Sequence, residues 1–283
     1  MTVINTNTGS LFAQQAMTTN ARGLATVMQQ LSTGKRINNS VDDAAGMAIS
    51  TRLTSQIRGL NQAVRNANDG ISLIQTAEGA TEQVTNMLQR MRELAVQAVN
   101  DTNNGDDRSY LDKEFGYLKT QINNIANWTE WNGSRLLFGT SSTGTGSLKS
   151  FTFQVGASPS QTIKIDFKNM STGASGALKS VGDLAAITNS SGANTALTTI
   201  VAALNTVSSA RANMGATISQ LQFTADNLAN ISAKTQESRS RIEDTDYSQA
   251  TTELAKRNII QQAAQSMLAQ ANQAPQLVLQ LLK

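Results

Sequence analysis

The sequence contains no cysteine and no histidine, and only two of its 283 residues are proline. Without thiols and imidazoles the chain cannot form disulfides, Cys/His zinc sites or histidine-based acid–base pairs. Aromatic residues are only 4%, although such side chains supply much of the burial in compact cores. This composition favours long helices over a globule of many short elements and argues against an enzyme, so we predict no catalytic residue, no metal and no cofactor.

Charge and hydropathy exclude two further classes of function. The 23 basic and 20 acidic residues are scattered, and the longest basic run is Lys35-Arg36, so we expect no nucleic-acid binding. No stretch approaches the roughly 18 apolar residues that a membrane span needs, so we expect no membrane insertion. The first residues lack the basic and apolar segments of a secretory signal peptide. We therefore expect that any export proceeds without cleavage of a signal peptide.

The first long helix is predicted from apolar residues at alternating steps of four and three, which is the spacing of a coiled-coil seam. The row is Leu53, Ile57, Leu60, Val64, Ala67, Ile71 and Ile74, and it predicts a helix over about 41–100. Ser40 and Asp43 have the spacing of a capping box at its start. Gly34 is predicted to end an earlier helix in the left-handed conformation.

Two more helices follow from the same spacing. One carries Leu111, Phe115, Leu118, Ile122 and Ile125, and the other runs from Leu197 to Leu228. Arg211 interrupts the second row. It either pairs with a carboxylate across the helix bundle or marks where the row turns to solvent, and we favour the pairing. The acidic pairs Asp42-Asp43 and Asp106-Asp107 resemble catalytic carboxylates, but each lies beside a predicted helix start, where acidic residues act as caps.

The middle of the chain has a different pattern. Residues 140–150 are rich in glycine, serine and threonine, which is typical of a linker. Apolar residues then alternate with polar ones around Phe153 and Ile165, and this alternation predicts a β-hairpin over about 150–168. A short variable segment is expected over about 169–192.

Both ends of the chain return to seams. The C-terminal row is Ile260, Ala264, Met267, Ala271, Ala274, Val278 and Leu281; a weaker N-terminal row is Ile4, Leu11, Thr18 and Ala25, with Leu24, Met28 and Leu31 beside it. Two helices with one stripe each leave apolar surface in water, so we expect the ends to become helical only on self-assembly. The predicted subunit-packing residues are Leu53, Ile57, Leu60, Val64, Ile260, Met267, Val278 and Leu281.

Four ordered blocks resemble the signatures of bacterial flagellins. Near the N-terminus they are LSTGKRINNSVDDAAGMAIS (31–50) and LQRMRELAVQ (88–97). Near the C-terminus they are SRIEDTD (240–246) and MLAQANQAPQLVLQLL (267–282). The resemblance covers about residues 1–140 and 195–283, and four blocks in order are far more specific than a single motif.

The resemblance implies a mainly α fold, a long antiparallel helical-bundle or coiled-coil rod with a small β-hairpin region. Residues 1–42 with 243–283 would form a terminal coiled-coil domain in the inner filament core, and residues 43–242 the rod domain. The implied function is a structural subunit of the extracellular flagellar filament for motility, without large outer domains. The alternative is a hook–filament junction protein of the same family.

Partners also follow from the resemblance. They are further copies of the chain in a helical homopolymer, a flagellar export chaperone of the type III route, the filament cap and the hook-junction proteins. Host innate immune receptors are implied as well. Arg90, Leu94 and Glu114 match the surface read by the Toll-like receptor, although we expect subunit contact to be their main role. The tail residues Val278, Leu279, Leu281 and Leu282 resemble the part read by the inflammasome sensor.

Overall fold

The computed structural model describes residues 6–139, 148–174 and 176–281, with side chains described as far as residue 273. The helices are α1 (Thr8–Thr33), α2 (Ala44–Val99), α3 (Gly105–Trp128), α4 (Lys179–Gly182), α5 (Ser190–Glu243) and α6 (Tyr247–Leu281). The strands are β1 (Glu130–Trp131), β2 (Ser134–Arg135), β3 (Leu148–Gln154) and β4 (Thr162–Lys168). The predicted mainly α fold with a small β-hairpin is confirmed.

Local signals explain where the first helices begin and end. Gly34 ends α1 at φ 71°, and its N–H donates to the carbonyl of Gln30, as predicted. Asp43 directly precedes α2 and accepts from the N–H of Gly46 at 2.8 Å. The predicted capping box with Ser40 as the cap is therefore wrong. Asp42 accepts instead from the N–H groups of Asn38 and Asn39, at 3.1 and 2.9 Å.

The second acidic pair also contributes a cap. Asn104 precedes α3 and accepts from the N–H of Asp107, whose carboxylate accepts in return from the N–H of Asn104. This reciprocal pair is a capping box with aspartate in place of the usual glutamate. The capping interpretation is thus confirmed for Asp43 and Asp107.

The chain divides into two compact units. The terminal unit comprises Met1–Ile57 and Ala233–Lys283, and the middle unit comprises Arg58–Ser232. In the middle unit, the inward faces of α2, α3 and α5 bury a large apolar cluster that includes Ile74, Leu88 and Ile200. Arg211 lies beside this cluster, and its Nη2 is 3.8 Å from Oε1 of Glu78. The expected pairing of Arg211 with a carboxylate is confirmed.

The β-hairpin adds one apolar face to the middle unit. β3 and β4 are antiparallel with Phe151 opposite Ile165, and the alternate residues Ile163, Ile165 and Phe167 of β4 are buried. The rings of Phe151 and Phe167 meet edge to face at 5.7 Å. The segment after the hairpin joins the same cluster because it buries Met170, Leu178, Val181 and Ile187. Residues 140–147 of the predicted linker lie outside the described residues.

Candidate assembly interface

In the terminal unit, α1 and α6 pack against each other in antiparallel orientation. The amide Nδ2 of Asn7 donates to the carbonyl of Ala271 at 2.7 Å, and Nδ2 of Asn20 donates to the carbonyl of Arg257 at 2.9 Å. Nearer the other end, the hydroxyl of Tyr247 donates to the carbonyl of Leu31 at 3.4 Å. Residue numbers rise along α1 as they fall along α6, which defines one register.

The facing residues of the two helices form a seam of mixed polarity. They are buried or half-buried and follow alternating steps of three and four. On α1 they are Ser10, Ala13, Met17, Asn20, Leu24, Val27 and Leu31, and on α6 they are Ala250, Leu254, Arg257, Gln261, Ala264, Leu268 and Ala271. We name this set the α1–α6 seam.

The α1–α6 seam corrects part of the sequence interpretation. Leu11, Thr18 and Ala25, predicted as the N-terminal row, are exposed, and Ile4 lies outside the described residues. Leu24 and Leu31, predicted beside that row, belong to the seam. The predicted row kept a spacing of seven from Leu11, whereas the observed seam alternates steps of three and four through Ser10 and Asn20.

Large apolar side chains lie on the outward faces of the same two helices. They are Leu11, Phe12, Met28, Ile259, Ile260 and Met267, with exposures from 41% for Ile260 to 73% for Phe12. Over the 26 residues of α1 and the 35 of α6, the only charged residues are Arg22, Glu253, Lys256 and Arg257. A surface this apolar and this poor in charge is typical of an association interface. We name it the outward apolar face.

A network of polar contacts lies where α1 and α6 approach the ends of α2 and α5. The N–H of Arg36 donates to the carbonyl of Glu243 at 2.7 Å, and the N–H of Thr245 donates to the carbonyl of Gly34 at 3.0 Å. The carboxylate of Glu243 accepts from the buried hydroxyl of Ser50 and pairs with Nζ of Lys35, both at 2.5 Å. These hydrogen bonds, from Lys35 first and Ser50 second, lower the pKa of Glu243. We name this network the Glu243 clasp.

The predicted packing residues do not share one surface. Leu53 is half-buried and Ile57 is buried in the terminal unit. Leu60 is buried with Ala63 and Leu228 in the middle unit, and Val64 packs against them. Ile260 and Met267 lie on the outward apolar face. Val278 and Leu281 lie outside the described side chains, as do Leu279 and residue 282.

The three residues of the predicted receptor surface also differ in exposure. Nε of Arg90 lies 2.8 Å from Oε1 of Glu114, and Nη1 of Arg90 lies 3.0 Å from Oε2 of Glu93. Both Arg90 and Glu114 are about half exposed. Leu94 is only 1% exposed because it belongs to the core of the middle unit. A partner reaching this surface would meet the ion pair but not the leucine.

Sequence reasoning missed Asn20, Arg257 and Glu243. From Ala250 to Ala271 the buried and half-buried positions alternate in steps of four and three, and the pattern becomes visible when arginine and glutamine are counted as well as apolar residues. Glu243 gave no signal of its own, because its partners Lys35 and Ser50 are about two hundred positions away in sequence. Among the described residues, no helix is long and apolar enough to cross a membrane.

Comparisons with known proteins agree with this architecture. The family model for the bacterial flagellin N-terminal helical region matches residues 4–142, and the model for the C-terminal helical region matches residues 197–282. The flagellin of Halalkalibacterium halodurans is 43% identical over 281 residues, covering 99% of this chain and 100% of the relative. The flagellin of Bacillus subtilis is 41% identical over 302 residues, covering 99% of each.

A solved structure shares the fold at lower identity. It is a protein of Vibrio parahaemolyticus described as flagellar hook-associated, with a TM-score of 0.59 and 16% identity over 72% of this chain and 100% of that one. This likeness shows a common fold only and does not favour the hook–filament junction alternative. Family matches at both ends and near full-length relatives named flagellin lead to one conclusion: the chain belongs to the bacterial flagellin family and is a structural subunit of the flagellar filament.

Proposed function

We propose that this chain polymerises by burying the outward apolar face of α1 and α6 against other copies of itself. The observation that carries the proposal is the exposure of Phe12, Ile259 and Met267 on helices with almost no charge. Within one subunit the two helices already contact each other through the α1–α6 seam. In the described part of the chain the side chains of the outward apolar face stay exposed, so further copies are free to cover them.

The energetics favour many neighbours over one. Fully burying a large apolar side chain contributes about 1.5–3 kcal/mol, and the six side chains of the face are roughly half exposed, so covering them contributes about 5–10 kcal/mol. Association of two proteins costs about 4–15 kcal/mol in lost freedom and ordering. A single contact would therefore be marginal. Each subunit gains most when several copies surround it, as in a helical polymer.

The proposal includes the expected domain roles. Residues 1–42 with 243–283 would form the inner filament core, and residues 43–242 would form the surrounding domain. The apolar C-terminal segment would be held by an export chaperone before assembly, because an uncovered apolar helix invites aggregation. The filament cap and the hook-junction proteins would contact the same terminal helices at the two ends of the filament. The assembled chain would be extracellular.

Host recognition is proposed as a secondary property. The ion pair of Arg90 and Glu114 offers the polar, accessible groups that a receptor for the free subunit could contact, while Leu94 supports the two helices from within. The tail at Val278, Leu279, Leu281 and Leu282 is proposed as the segment read by the cytosolic sensor. In the filament, both would serve contacts between subunits.

Seeded polymerisation of the purified chain tests the proposed interface. The double variant Ile260→Gln with Met267→Gln makes the outward apolar face polar at similar size, and Ile260→Leu with Met267→Leu keeps it apolar as a matched control. A loss of about 2–3 kcal/mol per subunit should raise the critical concentration roughly 30- to 150-fold for the glutamine variant only. Sedimentation measures the critical concentration, and electron microscopy shows whether the pellet contains long helical filaments.

Two outcomes would contradict the proposal. Equal critical concentrations for the glutamine and leucine variants would mean that the outward apolar face is not the interface. Filament growth after deletion of residues 243–283 would mean that α6 is not required. Wild-type protein that stays monomeric and binds only hook ends would instead support the junction role.

A further inference from the structure

The α1–α6 seam contains four polar side chains at positions where coiled coils usually carry apolar ones, namely Ser10, Asn20, Arg257 and Gln261. Asn20 and Arg257 are the two that lie opposite each other. Asn20 is only 6% exposed, and its amide reaches across to the carbonyl of Arg257. Arg257 itself lies in the α6 row and forms an ion pair with Glu253 one turn before it, with Nε 3.0 Å from Oε1 but without hydrogen-bond geometry. Buried polar residues at seam positions cost stability, and their best-attested role is to specify register and orientation.

The acceptor of the Asn20 bond is a backbone carbonyl, and this limits what Asn20 can specify. Every residue of α6 has a carbonyl, so the same bond could form after α1 slides by one heptad. Asn20 therefore selects which face of α1 turns to α6, but it cannot by itself select the heptad. A second feature is needed to distinguish registers that differ by seven residues.

Gly23 supplies that feature. A Cβ at position 23 would overlap Nη1 of Arg257, so the guanidinium lies in the space that the missing side chain leaves. A slide of one heptad in either direction would place Arg257 opposite Ala16 or Gln30, both of which carry a Cβ. The slide moves the helices by roughly 10 Å, at 1.5 Å per residue, so the registers are physically distinct.

We propose that α1 and α6 pair in a single register, which is set by Asn20, by Arg257 and by the space that the missing side chain of Gly23 leaves for the guanidinium. These are positioning residues for assembly, because the register decides how the outward apolar face is presented to the next copy. The inference rests on the proposed function for its consequence, but the register itself is a property of one chain. It assigns the polar residues of the seam a role in specificity rather than stability.

The absence of cysteine from the chain allows a direct test by crosslinking. Ala13 and Ala264 face each other in the observed register, whereas Ala13 and Ala271 would face each other after a slide of one heptad. Full-length Ala13→Cys/Ala264→Cys and Ala13→Cys/Ala271→Cys chains are assembled and treated with a short bifunctional thiol reagent. Crosslinks within one chain change its mobility on denaturing gels without raising its mass, so they are separated from crosslinks between subunits.

The expected result is a crosslink in the native pair and almost none in the slipped pair. Gly23→Ala should raise the ratio of slipped to native crosslinks roughly two- to tenfold, the factor that corresponds to displacing the Arg257 side chain from a preferred rotamer. Asn20→Leu removes the selection of the α1 face, so it should lower the yield of the native crosslink without raising that of the slipped one. Gln261→Leu is the matched control. It removes a polar residue from the same row of α6, and in the described part of the chain Gln261 makes no hydrogen bond to α1.

An unchanged ratio in Gly23→Ala would overturn the proposal, as would an unchanged native crosslink in Asn20→Leu or an equal effect of the Gln261 control. Using two variants on different positions covers the case in which one of them fails to fold. The crosslink within a chain needs no filament. If the Ala13→Cys/Ala264→Cys chain forms the native crosslink but never sediments, the proposed polymerisation fails while the register inference stands. If it sediments but shows no native crosslink, the register inference fails alone.

Discussion

Replacing Glu243 by glutamine removes the negative charge at the centre of the Glu243 clasp while keeping the size of the side chain. Glutamine still accepts a hydrogen bond from Ser50, but it no longer attracts the ammonium of Lys35. A hydrogen bond to a charged group contributes about 1.5–3 kcal/mol, against about 1 kcal/mol for a neutral one. Lys35 is 53% exposed, so solvent screening reduces its share. We expect a loss of about 1–2 kcal/mol in the folding free energy of the terminal unit.

This loss should appear as weaker assembly. If the terminal unit becomes ordered as subunits join, its folding free energy is part of the free energy of polymerisation. A loss of about 1–2 kcal/mol then raises the critical concentration at pH 7 roughly 5- to 30-fold. The measurement is the concentration of protein left in the supernatant after seeded growth and sedimentation.

The dependence on pH has a definite sign. The pKa of Glu243 is lowered from its ordinary value of 4.5 by Lys35 and then by Ser50. The clasp therefore contributes fully above pH 4.5, and its contribution is lost as the pH falls through the folded-state pKa. The difference between wild type and Glu243→Gln should be present at pH 7 and should shrink as the pH falls below about 4.5, because the wild-type carboxylate becomes protonated.

Glu237→Gln is the control for the change of charge. Glu237 lies on the same helix and pairs with Lys234 and Arg241, but it is exposed and takes no part in the clasp. It should leave the critical concentration unchanged. Equal critical concentrations for wild type and Glu243→Gln at pH 7, or an equal shift for Glu237→Gln, would refute the reasoning.

Three predictions concern the middle unit, each measured by urea unfolding of the full chain. Phe167→Ala should lower the free energy of unfolding by about 3–5 kcal/mol, since the ring is buried in the core of the middle unit. A smaller change would mean that the hairpin is not part of the core. Asn104→Ala should cost about 1 kcal/mol through loss of the α3 cap, and a neutral result would remove the cap's assigned role. Leu94→Ala should lower the free energy of unfolding by about 2–5 kcal/mol because the side chain is buried. Arg90→Ala should leave the urea midpoint unchanged because its ion pairs are exposed. A larger loss for Arg90→Ala than for Leu94→Ala would contradict the assignment of Leu94 to the core.

Much of the secondary structure could be predicted from local sequence. The row from Leu53 to Ile74 predicted a helix over about 41–100, and α2 spans Ala44–Val99. Gly34 ends α1 in the left-handed conformation, and the alternation around Phe153 and Ile165 became β3 and β4. These signals are local because helix spacing, caps and strand alternation depend on residues close in sequence. Packing then buries the apolar face of each helix in the core of the middle unit.

Only the tertiary structure decided how the ends of the chain are used. Sequence reasoning took Leu11, Ile260 and Met267 as seam residues, but within one chain they face outward, and Asn20, Arg257 and Gln261 occupy the seam. Periodicity identifies an apolar stripe without saying which partner covers it. Here the contact within the chain uses a stripe of mixed polarity, and several large apolar side chains stay exposed. Glu243, Lys35 and Ser50 also became neighbours only through folding, because electrostatic and hydrogen-bond partners far apart in sequence leave no periodic pattern.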